Sequence, residues 1–165
     1  MIEPALAKAR HPAEDAGPDD VISIAAPLDL FHSPAWMRVG LIRSGVPASD
    51  LKALQERLNM PQGVLLDSLR ISPATLNRKV GRKDNLSPED SERVVGIAKM
   101  IGQVEEMVRQ SGEIDGFDPA RWLSEWLQQR APALAGARPL DFLDTVEGQA
   151  MVSGLIAQMQ SGAYA

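Results

Sequence analysis

Four times in this chain a serine or aspartate stands directly before a proline: Ser33-Pro34, Ser72-Pro73, Ser87-Pro88 and Asp118-Pro119. A short side chain with an oxygen can accept from the first unpaired amides of a helix. Proline in the first turn lacks only an amide that would have no helical partner. Each pair therefore marks a helix start. Downstream, apolar residues recur three and four apart: Leu51, Leu54 and Leu58; Val94, Ile97, Ile101, Val104 and Val108; Val152, Leu155, Ile156 and Met159. No alternating run of β-branched residues is present. The pattern predicts an all-α fold. Its helices run over 34–44, 47–60, 62–69, 73–80 and 87–110, then from Asp118, through one turn at 139–143, and from a Thr145 cap to about Gln160. Gly162 suits the left-handed position that ends a helix.

Residues 1–27 are rich in alanine, proline, glycine and acids, with a short apolar patch at Val21, Ile22 and Ile24. Such composition buries too little to offset the entropy of ordering. The chain divides accordingly: 1–32 as a flexible N-terminal tail, 33–112 as a first helical unit, and 113–165 as a second. Over the long 87–110 helix the 3-4-3-4 repeat fits either a short coiled-coil seam that dimerises or a helix in a bundle core. Gly96 and Gly102 interrupt the heptads and favour the bundle. Met100, Met107, Met151 and Met159 fall in apolar rows and read as gap-filling core.

Cysteine is absent, which excludes disulfides and thiolate metal sites and fits a reducing compartment. Nothing approaches the length of a membrane span or the layout of a secretion signal, so a cytoplasmic protein without membrane partners is expected. His11 and His32 lie apart from any carboxylate cluster, so no metal site and no cofactor is expected. Asp141 and Asp144 could be imagined as an acid pair, but acids that open helices are the plainer account. Trp122 and Trp126 share a helix face and read as core before they read as a ligand platform. There is no phosphate loop and no nucleophile elbow, and no enzyme activity is expected.

Charge is distributed unevenly. The net charge is −5, yet Arg70, Arg78, Lys79, Arg82 and Lys83 fall within 70–83 without an acid. Residues 105–165 carry nine acids against four bases. Within the basic stretch, Leu65, Leu66 and Leu69 make the inner face of a supporting helix, and Ile71 fills the gap. Ser72 caps the next helix, with Leu76 and Val80 holding it down. Ser72, Thr75, Asn77, Arg78 and Lys79 then face solvent, with Arg82 and Lys83 beyond them. These are residue types that neutralise phosphates and reach base edges. A basic helical hairpin that binds nothing has the same apolar spacing. Arg70 also stands where such a turn commonly has glycine, at a cost of roughly 1 kcal/mol.

The second unit carries more specific pieces, in order: Arg121-Trp122-Leu123, Ala133-Leu134-Ala135-Gly136, Arg138-Pro139-Leu140-Asp141-Phe142-Leu143, Thr145-Val146-Glu147-Gly148 and Ser161-Gly162-Ala163-Tyr164-Ala165. Together they resemble the Xre/MbcA/ParS-like antitoxin family over about residues 34–165, with Ile71 to Leu76 matching its Xre-like helix-turn-helix. The resemblance implies a type II antitoxin whose C-terminal domain binds a RES-type, NAD-degrading toxin and blocks its active-site cleft. It also implies a helix-turn-helix half that binds the operon's own promoter, as a homodimer within the toxin complex. The toxin-facing residues it points to are Leu140, Leu143, Thr145, Gly148, Gly162, Tyr164 and Ala165. Ala135 departs from a glycine common in the connector, and Arg70 from the glycine of the DNA-binding half. A stand-alone transcriptional regulator with a C-terminal dimerisation domain is the alternative.

Overall fold

The computed structural model describes residues 21–112 and 115–162. Within them the chain is helical, as the capped prolines and apolar spacing predict, and it contains no β-strand. The elements are α1 (Pro27–His32), α2 (Ala35–Ser44), α3 (Ala48–Leu58), α4 (Gln62–Ser68), α5 (Pro73–Arg82), α6 (Pro88–Gln110), α7 (Pro119–Leu127) and α8 (Val146–Gln160). Two 3₁₀ turns, Pro132–Leu134 and Pro139–Phe142, join α7 to α8.

Side-chain oxygens cap α5 to α8 at the expected positions. Ser72 accepts from the Thr75 amide at 3.4 Å, Ser87 from Asp90 at 3.1 Å, and Thr145 from Gly148 at 3.0 Å. Asp118 accepts from Ala120 and Arg121 at 3.0 and 3.1 Å. Ser33 does not cap α2. Its hydroxyl donates back to Leu30 O at 2.7 Å and closes the end of α1 instead.

The hub is α6, against which α1, α2, α7 and α8 all pack. Val94, Ile97, Ile101 and Val104 are buried on it, but so are Val95, Ala98, Met100 and Gly102. The helix is thus enclosed on more than the one face its heptad-like repeat suggests. A coiled-coil seam along α6 is therefore excluded, because neighbours within the same chain already cover it. One apolar cluster runs without a break from Leu30, through Leu51, Leu65 and Leu76, to Leu123, Leu143 and Ile156. The two units expected at 33–112 and 113–165 share this core.

The expectation of a flexible tail through residue 32 fails for residues 21–32. Ile24 and Leu30 are buried, at 2% and 0% exposed. The reason lies in α6: Gly102 has no side chain, and the Pro27 carbonyl and Phe31 occupy the space a Cβ would fill. His32 Nε2 then meets Glu106 Oε2 at 2.8 Å. Hydrogen bonds from Gln110 and from His32 hold the Glu106 carboxyl below its ordinary range. The rest of the expected tail, residues 1–20, lies outside the described residues.

A second contact of the same kind joins α8 to α6. Gln149 is buried and its amide donates to Arg93 O and Leu143 O, both at 2.9 Å. Its side-chain oxygen sits where a Cβ on Gly96 would stand. By contrast α2 has no fully buried residue, and packs on the core through the half-buried Leu41 and Ile42. Beneath it, burial and the neighbouring Arg38 guanidinium lower the Lys99 pKa. Met151 is 41% exposed and not the core residue its apolar row suggested, while Met100 is buried.

Adding a methyl group at Gly102 forces the backbone of α1 to move, so Gly102→Ala should cost about 1–3 kcal/mol. Gly40, with open space around its Cβ position on α2, is the control. Gly40→Ala should stabilise by about 0.5–1 kcal/mol. Urea unfolding of both variants checks the pair, and equal midpoints would contradict the packing described.

Candidate nucleic-acid and partner-protein surfaces

The basic hairpin forms as its apolar spacing requires. Leu65, Leu66 and Leu69 are fully buried, and Ile71 and Leu76 nearly so. The turn closes with Arg70 N–H donating to Asp67 O at 3.1 Å and Ile71 N–H to Leu66 O at 2.9 Å. Arg70 takes the left-handed conformation, φ +55°, that glycine normally supplies. Pairing between the α2–α3 and α5–α6 connections steadies the far end, with Leu86 N–H to Val46 O at 2.8 Å and Ala48 N–H to Asp84 O at 3.1 Å. The Val46 amide also donates to the buried Ser91 hydroxyl at 2.9 Å.

The structure sorts the predicted DNA-facing residues. Asn77, Arg78 and Arg82 are exposed and share one stripe of α5 with Ala74 and Gly81, and Ser72 and Lys83 are exposed at its two ends. Thr75 is half-buried. Lys79 is the exception: its ammonium donates to Asn85 O at 2.9 Å and braces the α5–α6 connection. Ala74 was not among the sequence candidates. The register of the stripe, once Leu76 is fixed inward, is the signal that finds it. Among the described residues no carboxylate forms an ion pair with Arg78, Arg82 or Lys83.

The predicted toxin-facing residues divide differently. Leu140 and Leu143 are 3% and 0% exposed and belong to the core. Gly148 is buried too, because Phe142 fills the space its Cβ would need. These three shape the surface from beneath. Thr145 is exposed and caps α8, and Gly162 ends the described chain at φ +68°. Tyr164 and Ala165 lie outside the described residues.

What faces solvent instead is one side of α8: Val146, Ala150, Met151, Gly154 and Ala157, with Glu147 and Gln158 among them. Val146 is 56% exposed and Met151 41%. A helix with few charges is normally buried on most of its sides. This one carries only Glu147 as a charge among its 15 residues. That composition was the available signal for the surface. On α7 the half-buried Trp122 and Trp126 stack with ring centroids 6.0 Å apart, and Phe117 lies 6.4 Å from Trp122. All three pack against the core.

Between the hairpin and the C-terminal part lies a cleft of about 780 Å³, lined by Arg70, Ser72, Arg138, Asp141 and Asp144 among others. Arg138 pairs with Asp141 at 2.7 Å. Arg70 Nε reaches Asp144 across the cleft at 3.5 Å. Hydrogen bonds from Arg138 hold the Asp141 carboxyl below its ordinary range. A depressed carboxylate stabilises above its unfolded pKa, and that contribution is lost as pH falls through the folded value. Arg138→Ala should raise the Asp141 pKa toward the usual carboxylate range in an NMR titration. An unchanged titration would remove the pair from the account.

Comparison with known proteins assigns the class. Residues 37–99 match the family model of the antitoxin Xre-like helix-turn-helix domain. Residues 115–162 match that of the antitoxin Xre/MbcA/ParS C-terminal toxin-binding domain. The chain belongs to the Xre/MbcA/ParS antitoxin family and is the antitoxin of a toxin–antitoxin system. It is 55% identical over 136 residues to the Prs ADP-ribosylating antitoxin of Sphingobium sp. (strain YBL2), a match covering 82% of this chain and 86% of that protein.

Proposed function

We propose that this antitoxin neutralises a RES-type, NAD-consuming toxin by laying α8 and the chain end over the toxin's active-site cleft. The observation that carries this reading is the exposed apolar side of α8, which lies inside the segment matched to the toxin-binding domain. Val146, Ala150, Met151, Gly154 and Ala157 lose little by desolvation and suit a protein interface core, with Glu147 the one charge among them. The name of the Sphingobium relative attaches ADP-ribosylation of Prs to its system. ADP-ribosyl transfer draws its donor group from NAD, so that chemistry is a specific second reading for the toxin, with transfer in place of degradation.

Introducing a charge into this patch should leave the fold intact and weaken the complex. Ala150→Glu should reduce toxin affinity at least ~30-fold, about 2 kcal/mol. When the cognate toxin is induced in cells, NAD should be protected by the unaltered chain and lost with the variant. NAD protected equally by both would move inhibition off α8. Protein-bound ADP-ribose from labelled NAD would favour transfer over degradation.

We further propose that the α5 stripe binds the system's own promoter and that the chain acts as a homodimer. With α6 enclosed and α8 given to the toxin, the side of α2 carrying Trp36 and Val39, 42% and 40% exposed, is an apolar surface for a second copy. Arg78→Ala should weaken promoter binding by about 1–3 kcal/mol at fixed salt without changing toxin affinity. Trp36→Glu should sediment as a monomer. Unchanged promoter affinity would remove Arg78, and an unchanged dimer would remove α2.

A further inference from the structure

The turn that sets the angle of α5 is tied to the base of α8. Arg70 is a costly residue at φ +55°, where an L side chain crowds its own backbone and glycine does not. Its guanidinium contributes nothing to the hairpin core. It spans the cleft to Asp144, which directly precedes the Thr145 cap of α8. Arg70 is 77% exposed at the side chain and Asp144 31%, so water now screens the pair. Val146, the first residue of the exposed α8 patch, is two positions from Asp144.

From this placement we infer that Arg70 and Asp144 are positioning residues, a strap through which a protein seated on α8 tightens the DNA-reading hairpin. The inference rests on the reading of α8 as the toxin-binding surface and α5 as the promoter-binding one. A partner covering Val146 excludes water from the neighbouring ion pair, and a charge pair attracts more strongly as the local dielectric falls. The strengthened pair fixes the α4–α5 turn, and a fixed turn presents Asn77 and Arg78 in one orientation. Such coupling is reciprocal, so bound DNA favours the toxin by the same factor.

The test compares the intact chain with Arg70→Gly, Asp144→Asn and the exchanged pair Arg70→Asp/Asp144→Arg. Aspartate tolerates the left-handed region better than most residues. Affinity for the promoter duplex is measured with and without the cognate toxin. Amide exchange over residues 69–75 is followed in the same proteins. Toxin should tighten promoter binding roughly two- to fivefold more for the intact chain than for either single variant, with recovery in the exchanged pair.

Arg70→Gly should melt no lower than the intact chain, since glycine takes positive φ freely. That result separates the strap from a folding defect. Toxin should slow exchange at 69–75 in the intact chain and not in Asp144→Asn. Equal increments in promoter affinity, together with equal exchange, would overturn the strap. If the intact chain ignores the duplex, the promoter reading falls by itself. The exchange data then decide: slowing that disappears in Asp144→Asn upholds the strap, and no difference overturns it.

Discussion

The fold depends on the close approach of two neighbours to α6, at Gly96 and at Gly102. A helix of 23 residues is about 34 Å long. It spans the molecule and gives every flanking helix a wall to pack on. Where a flanking element must come nearer than ordinary side chains allow, α6 has glycine. Gly102 admits the backbone of α1, and Gly96 admits the Gln149 amide of α8. Gly in a helix interior is intrinsically unfavourable by up to about 1 kcal/mol. Here the loss is offset by contacts that fix α1 and α8 on one core.

This arrangement gives the protein two surfaces on a common frame. The hairpin of α4 and α5 and the base of α8 face each other across one cleft, and one apolar cluster lies beneath both. The basic residues stay on the α5 stripe, and the apolar, charge-poor residues on α8. That separation matches the uneven charge of the chain, basic over 70–83 and acidic beyond 105. A regulator that had only to dimerise and read DNA would have no need of a charge-poor, solvent-facing α8 inside a matched toxin-binding segment.

Much of the fold was legible in the sequence because helix starts are local events. Ser72, Ser87, Asp118 and Thr145 cap as their side chains allow, and the three- and four-residue spacing named most buried faces. Long-range packing was not legible. Nothing local tells that Gly102 makes room for α1, so the ordered chain was expected to start too late. Lys79 read as a DNA contact because its bond to Asn85 O closes a loop whose path the sequence does not give. Leu140, Leu143 and Gly148 read as interface residues through the family resemblance. The motif that identifies the family is there partly to hold the core, while Val146 and Ala150 on the outer side of α8 were not singled out and Met151 read as core. Arg70 at positive φ was anticipated as a strain. Its reach to Asp144, 74 positions away in the sequence, was not.

The central claim is that the outer side of α8 meets the toxin. The most direct measurement is methyl NMR of the antitoxin with and without its toxin. The account predicts that the Val146 and Met151 methyl signals shift on complex formation while those of Leu51 and Leu65, deep in the core, stay in place. Unmoved Val146 and Met151 signals in a saturated complex would contradict it.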